Sequence, residues 1–296
     1  MAGTAADPAD NLGYRAGQLP IATVLASVPA LRDVPLESEE IARIDSKDMS
    51  FAVWRTLAQR CSQLLARPDV TGIVIGHGTD TLEETAFFLQ SVLGPAKPVV
   101  ITCAMRPATA IAPDGPQNLV DAVAVALAPG ARGVVAVCAG TVHAAQDVAK
   151  QHTYRLDAFT SGDAGPIGYV EERALRLVRP WPADAPCGTT LERVLGAARW
   201  PRVEIVMSHA GADGAVVEAL AAQGVEGLVV SATGNGSVHA GLEAALVRAQ
   251  ERGVKVVRAS RCAQGRVQDT PHDRLPHAGG LSPVKARIAL LLQLLA

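Results

Sequence analysis

No apolar stretch in this 296-residue chain reaches the roughly 20 residues that a helix needs to cross a bilayer, so a membrane-spanning reading is excluded. Neither charge sign is in excess: 27 Lys and Arg stand against 29 Asp and Glu, for a net charge of -2, and no basic run could neutralise a phosphate backbone. Neither a membrane nor a nucleic acid is therefore an expected partner. The N-terminus, Met1-Ala2-Gly3-Thr4-Ala5-Ala6-Asp7, lacks the charged and apolar parts of a secretory signal. As written the chain reads as cytoplasmic; a periplasmic location requires an upstream signal.

Cysteine is scarce as well. Cys61, Cys103, Cys138, Cys187 and Cys262 are scattered, odd in number and without a C-x-x-C pair or a histidine at ligand spacing, which argues against a disulfide framework and against a metal site. Cys103 and Cys138 end apolar runs and read as small core residues, and Cys61 falls on a helical pattern.

What is present is length and apolar content: 49% of the residues are hydrophobic, enough for two domains with separate cores. Strand-length apolar runs at 72–76, 98–103 and 133–138 alternate with helical patterns at 81–93 and 117–127, which predicts parallel β-α-β units. Pro116 reads as a first-turn proline of the second helix. From 162 to 200 the pattern loosens, with a short strand near 173–178 and the proline cluster Pro180-Trp181-Pro182-Ala183-Asp184-Ala185-Pro186. The alternation resumes with strands at 202–208, 227–231 and 255–259 and helices near 214–223, 240–252 and 283–296. The expected fold is α/β: two β-α-β domains with mostly parallel sheets, a larger N-terminal one over 1–180, a connector at 181–201 and a smaller C-terminal one over 202–296.

The most informative segment is Gly76-His77-Gly78-Thr79-Asp80-Thr81, at the end of an apolar run and ahead of the helical Leu82-Glu83-Glu84-Thr85-Ala86-Phe87-Phe88-Leu89. It sets a hydroxyl and a carboxylate side by side where a buried strand turns into a helix, the place where open α/β sheets bind small ligands. Thr81 and Glu84 have capping-box spacing, and the helix start favours an anion. Amide hydrolysis needs an activated hydroxyl, a proton acceptor and donors for the developing oxyanion. Thr79, Asp80 and Lys150 meet several of these needs. A lysine acts as base only when neutral; burial lowers its pKa, whereas a nearby carboxylate raises it. By spacing alone Lys150 reads first as an exposed lysine after the third strand.

Taken together these blocks resemble the bacterial-type L-asparaginases, most closely the type II enzymes and the glutaminase-asparaginases. The ordered matches are Asp45-Ser46-Lys47-Asp48-Met49-Ser50, Gly76 to Ala86, Ala104-Met105-Arg106-Pro107-Ala108-Thr109, Asp114 to Leu119, Gln146-Asp147-Val148-Ala149-Lys150, Gly165 to Tyr169, Thr233-Gly234-Asn235-Gly236-Ser237 and Leu281 to Arg287. The resemblance implies hydrolysis of asparagine, sometimes glutamine, without metal or organic cofactor. It implies a homotetramer, a dimer of dimers with shared active sites. By position Thr79 would contact the scissile amide and Lys150 would tune it. Asp80 and Ser46 would hold the α-amino and α-carboxylate groups, with Lys47 and Ala104 beside them. Tyr14 matches the tyrosine of a loop that closes over the site, and Asn235 an asparagine that reaches into a neighbouring subunit.

Three departures follow from the same comparison. The family opens on a strand ending T-G-G-T-I-A-G, whose second threonine is the usual nucleophile; Met1-Ala2-Gly3 matches only its last two residues, so that threonine would fall immediately before Met1, and Thr4 is three positions late. Lys47 stands where the type II enzymes usually carry glutamine, and a cation there would repel an ammonium. The family's C-terminal acidic residue has no clear match; Asp273 is the nearest candidate. Two alternatives stay open: a catalytically impaired asparaginase-like protein that binds an amino acid, and an amidotransferase component, against which the lack of a basic domain counts.

His77 reads as a structural residue of its turn, and Arg106 as an ion-pairing structural arginine. Gly234-Asn235-Gly236 lacks the third glycine and the downstream acid of a dinucleotide loop. His143, His152, His239, His272 and His277 read as solvent-exposed.

Overall fold

The computed structural model describes residues 3–182 and 190–295. These fall into two compact units, Met1–Pro186 and Cys187–Ala296. In the first, helix α1 (Ile21–Ala26) and helix α2 (Phe51–Leu65) precede strand β1 (Ile73–Gly76), helix α3 (Leu82–Leu93), strand β2 (Pro98–Thr102), helix α4 (Gly115–Ala126) and strand β3 (Gly133–Cys138). Short strands follow: β4 (Thr141–Ala144), β5 (Ala149–Lys150), β6 (Phe159–Thr160), β7 (Gly168–Glu171) and β8 (Ala174–Leu177).

Six strands form one sheet in the order β1-β2-β3-β4-β7-β8. The pairings β1–β2 and β2–β3 are parallel, as the β-α-β alternation requires. Beyond β3 every pairing is antiparallel, because β3 and β4 are separated by a two-residue turn, Ala139-Gly140, with no helix to carry the chain back across the sheet. The first unit therefore holds a mixed sheet, a correction to the mostly parallel arrangement expected from the apolar runs. Both residues of that turn have positive φ, 48° at Ala139 and 72° at Gly140. Strands β5 and β6 make a separate antiparallel ribbon.

β2 and β3 are buried along their whole length, which explains their unbroken Val and Ile runs. Helix α3 is buried almost throughout and ends on Gly94 in the left-handed conformation, φ 44°. Phe87 and Phe88 are fully buried, and Phe88 stacks on Trp54 of α2 at 4.7 Å between ring centroids. Truncating either phenylalanine to alanine is worth about 3–5 kcal/mol, a large part of a domain's net stability. α3 is thus a fixed post, and the turn at its start inherits that rigidity.

The second unit comprises helix α5 (Leu191–Gly196), strand β9 (Val203–Met207), helix α6 (Ala215–Ala222), strand β10 (Gly227–Ala232), helix α7 (Ala240–Glu251), strand β11 (Lys255–Ser260) and helix α8 (Pro283–Leu294). Its three strands are parallel with β10 central. Leu228, Val230, Leu242 and Leu246 lie in its core. The expected connector at 181–201 lies partly outside the described residues, as does Cys187; its described part contains α5, with Val194 buried. Among the described residues no helix is long and apolar enough to cross a membrane.

Candidate active site

The turn from β1 into α3 is built by close packing on Ser46. A β-carbon on Gly78 would come within 2.4 Å of the Ser46 hydroxyl oxygen and 2.7 Å of its β-carbon, so only glycine fits there. Ser46 is buried; its hydroxyl accepts the Asp80 backbone N–H at 3.2 Å, and its carbonyl accepts the Thr81 hydroxyl at 2.7 Å. That second bond corrects the capping-box expectation. Thr81 is the residue preceding α3, but its hydroxyl serves Ser46 and makes no cap bond to the helix.

His77 continues the strand by donating its backbone N–H to Thr102 at 2.8 Å. Its ring ends a chain of hydrogen bonds whose direction is fixed by chemistry. The Gly78 carbonyl can only accept, so His77 Nδ1, at 2.7 Å, is the donor. In the neutral ring Nε2 then accepts from the Thr85 hydroxyl at 3.0 Å, and Thr85 Oγ1 accepts from Trp54 Nε1–H at 2.9 Å. Burial pushes the His77 pKa down, and the bond to Gly78 opposes this only in part. His77 is a structural residue of the turn, as its sequence setting suggested. Thr85 and Trp54 carried no recognisable signal, since their partners lie 8 and 31 positions away.

Thr79, Asp80 and Lys150 come together on this turn. Lys150 Nζ donates to Thr79 Oγ1 at 2.8 Å and to Asp80 Oδ1 at 2.7 Å, while the Thr79 hydroxyl lies 3.4 Å from the same Asp80 oxygen. Thr79 is buried, Lys150 is largely covered with 21% of its side chain exposed, and Asp80 is open to solvent at 51%. A buried hydroxyl in contact with an ammonium thus faces an accessible carboxylate. The backbone of Lys150 is also held: its N–H donates to Glu83 in the first turn of α3 at 2.7 Å. Glu83 drew no separate attention in the sequence, where it appears only within the helical run opening at Leu82; the structure puts it in the first turn of α3.

The neighbouring strand end is equally tied. Met105 and Arg106 donate backbone N–H groups to the Asp114 carboxylate, each at 2.9 Å. Asn118 bridges the ends of two strands, donating to the Cys103 carbonyl at 3.0 Å and accepting the Ala139 N–H at 3.0 Å. These bonds fix the backbone on both sides of Ala104, which is buried. Arg106 donates to the Ala112 carbonyl at 3.0 Å, a backbone contact where an ion pair was expected.

Lys47 is paired within its own segment. Its ammonium contacts Asp45 at 2.8 Å and Asp48 at 3.0 Å, so its charge is countered locally by two carboxylates. Asp45 caps the short turn Ser46–Asp48 and Asp48 closes it, a proximity visible in sequence but not its consequence. Tyr14 lies on the N-terminal hairpin closed by the Thr4–Arg15 bridge, which docks on the segment after β2 through Ala108 N–H to the Gly3 carbonyl at 2.8 Å. Burial raises the Tyr14 pKa first, and the charges of Asp80 and Asp45 raise it further.

In the second unit Asn235 sits between Gly234 and Gly236, both with positive φ. Its amide is turned onto Gln268, donating to the carbonyl at 3.1 Å and accepting the N–H at 2.8 Å. Asp273 pairs with Arg258 at 2.7 Å and accepts from both the backbone N–H and the hydroxyl of Thr270. Those bonds hold its carboxyl well below the usual range. His277 accepts the Gly279 N–H at Nδ1, at 2.9 Å, and donates from Nε2 to the Asp269 carboxylate at 2.8 Å. His143 corrects the exposed reading: it is buried, with Nδ1 2.8 Å from the Ser161 hydroxyl, because its strand β4 lies inside the sheet between β3 and β7. No group of three or more potential ligands at metal-binding distance occurs among the described residues.

A strand-to-helix turn with threonine and aspartate on it, joined by a lysine from a β-ribbon, sits in a two-unit α/β protein whose second sheet is wholly parallel. The asparaginase N-terminal family model matches residues 1–182, and the glutaminase/asparaginase C-terminal domain model matches residues 202–296. The chain belongs to the asparaginase and glutaminase-asparaginase family. It is 36% identical over 296 residues to L-asparaginase 2 of Escherichia coli, covering 97% of this chain and 84% of that protein. It is 34% identical over 303 residues to glutaminase-asparaginase of Pseudomonas fluorescens biotype A, covering 99% and 80%. The crystal structure of a probable cytoplasmic L-asparaginase from Campylobacter jejuni matches with a TM-score of 0.93 at 35% identity, over 99% of this chain and 91% of that one.

Proposed function

We propose that this chain hydrolyses the side-chain amide of L-asparagine to L-aspartate and ammonia, with L-glutamine as a second substrate to be compared. Its working form would be a homotetramer of subunits with domains 1–180 and 202–296 joined through 181–201. The single observation that carries this reading is the Lys150 ammonium lying on both Thr79 Oγ1 and Asp80 Oδ1. An ammonium donating to a threonine oxygen stabilises negative charge on that oxygen as its proton leaves, or on an amide oxygen placed beside it. Asp80, half open to solvent, suits an α-ammonium, and the Ser46 hydroxyl, already accepting from Asp80 N–H, keeps its own proton for a carboxylate.

A second reading, amino-acid binding without turnover, is favoured by one feature of the same contact. In its ammonium form Lys150 has three donors and no acceptor, so it cannot take the Thr79 proton while it pairs with Asp80. If a threonine ahead of Met1 supplies the attack, Thr79 and Lys150 assist it; within residues 1–296 Thr79 is the site hydroxyl in position.

The test is ammonia release from asparagine and glutamine, measured on the chain of 296 residues and on one extended upstream by T-G-G-T, with aspartate binding followed by calorimetry. Turnover restored by the extension supports hydrolysis with an upstream nucleophile. Equal turnover in both forms supports attack by Thr79. Aspartate binding with no turnover in either form overturns hydrolysis in favour of the second reading.

A further inference from the structure

We infer that Glu83 is a positioning residue: its carboxylate, accepting the Lys150 backbone N–H, sets where the lysine ammonium meets Thr79 and Asp80. This rests on the proposed amide hydrolysis for its meaning in catalysis. Lys150 lies on β5, a two-residue strand paired only with the two-residue β6, in register Ala149 with Thr160 and Lys150 with Phe159. So short a ribbon holds itself weakly, because two strands alone are marginal without further pairing or packing. The Lys150 N–H donates away from β6, to Glu83 Oε2 at 2.7 Å. Glu83 thus takes the place that a third strand would fill.

Glu83 belongs to the first turn of α3, and Thr79 and Asp80 belong to the turn immediately before that helix. All three therefore ride on one rigid junction, and all three engage the same residue: Glu83 its backbone, Thr79 and Asp80 its side chain. A lysine side chain has many rotamers and costs entropy to hold in one of them. Anchoring its backbone to the junction that carries its side-chain partners limits the spans it must reach. Displacement of a reacting group by about 1 Å can cost a hundredfold in rate. The role requires an acceptor at the right reach, not a negative charge.

Three variants separate reach from charge: Glu83→Gln keeps an acceptor at the same distance without charge, Glu83→Asp keeps charge but shortens the side chain, and Glu83→Ala removes both. Two readouts are taken, kcat for asparagine and the rate of acylation of Lys150 by an amine-reactive ester, followed by mass spectrometry relative to exposed Lys255, with thermal melting as a check on folding. The expected result is that Glu83→Gln stays within about threefold of the unsubstituted chain in both, while Glu83→Asp and Glu83→Ala lose at least about tenfold in kcat and gain at least about threefold in Lys150 acylation. If Glu83→Ala does not fold, the Gln and Asp variants decide. A Glu83→Asp variant that matches the unsubstituted chain, or a Glu83→Gln variant as impaired as Glu83→Ala, overturns the assignment. Acylation needs no turnover, so a chain that hydrolyses nothing refutes the proposed function while the acylation pattern still decides the role of Glu83.

Discussion

The ammonium of Lys150 stands 2.8 Å from the hydroxyl of Thr79, a residue 71 positions earlier in the chain. Removing the ammonium while keeping the stem isolates its contribution. Lys150→Met is expected to lower kcat for asparagine by at least about a hundredfold, the range associated with losing a positioned proton-transfer or charge-stabilising group, in whichever form of the chain turns over. Steady-state ammonia release checks this. A loss below threefold would remove Lys150 from the chemistry.

Lys47 gives a different expectation, because Asp45 and Asp48 already counter its charge and its side chain is 60% exposed. Solvent and salt screen what remains of its field. Lys47→Gln should change KM for asparagine by less than about threefold at physiological ionic strength. A tenfold fall in KM in the glutamine variant would mean that Lys47 repels the substrate ammonium after all.

His77 links the turn to pH. Its folded pKa lies below the ordinary 6.5 because burial disfavours the imidazolium. Below 6.5 the unfolded chain therefore binds a proton that the folded chain refuses. Its contribution to stability is complete above 6.5 and is lost as the pH falls toward the depressed folded value. Urea unfolding between pH 7 and about pH 5 should show stability falling with pH, and His77→Gln should remove up to one proton's worth of that slope. An unchanged slope in the variant would assign the dependence to other groups.

The thiols divide by burial. Cys262 is exposed, whereas Cys61, Cys103 and Cys138 are buried. Burial pushes the Cys61 thiol up to about 12; the Cys138 thiol is raised by the Cys103 sulfur 3.4 Å away and then by burial. Since the thiolate is the reactive form, native protein carrying Cys187→Ser should react rapidly with a thiol reagent at Cys262 and slowly at the other three until denaturant is added. Fast labelling of Cys103 or Cys138 in the native state would contradict the packing of β2 and β3.

Asp273 is predicted to act through structure. Its carboxylate is engaged by Arg258 and by Thr270, which leaves Arg258, a buried cation, dependent on it. Asp273→Ala should lower the melting temperature and leave KM for asparagine unchanged. A specific rise in KM at unchanged stability would return Asp273 to the candidate site.

Periodicity located the parallel strands and helices α3, α4, α6, α7 and α8 to within a residue or two, but it gave no bounds for α2, where only Cys61 was read as helical. β3 is 133–138 in both readings, and α3 runs from Leu82 to Leu93 against an expected 81–93. Those elements are long enough for a repeat of 2 or 3.6 residues to show. The strands β5 and β6, of two residues each, are too short for any period, and the antiparallel half of the first sheet depends on the Ala139-Gly140 turn. The residues of the turn before α3 were legible for another reason. Thr79 and Asp80 are neighbours in sequence, so their pairing needed no long-range knowledge.

What the sequence determined by itself was therefore local: which segments alternate, where a glycine-flanked turn must leave a strand, and which motifs mark the family. The family motifs already set Lys150 beside that turn, whereas tertiary structure alone decided that Glu83 holds its backbone and that the Thr81 hydroxyl goes to Ser46 in place of the helix. It also decided that Lys47 is neutralised by its neighbours and that Asn235 folds back onto Gln268. The physical reason is that patterns of hydrophobicity record the backbone geometry of one element at a time. The partner of a single hydroxyl or ammonium is settled only when distant elements pack and each buried polar group must find its bond.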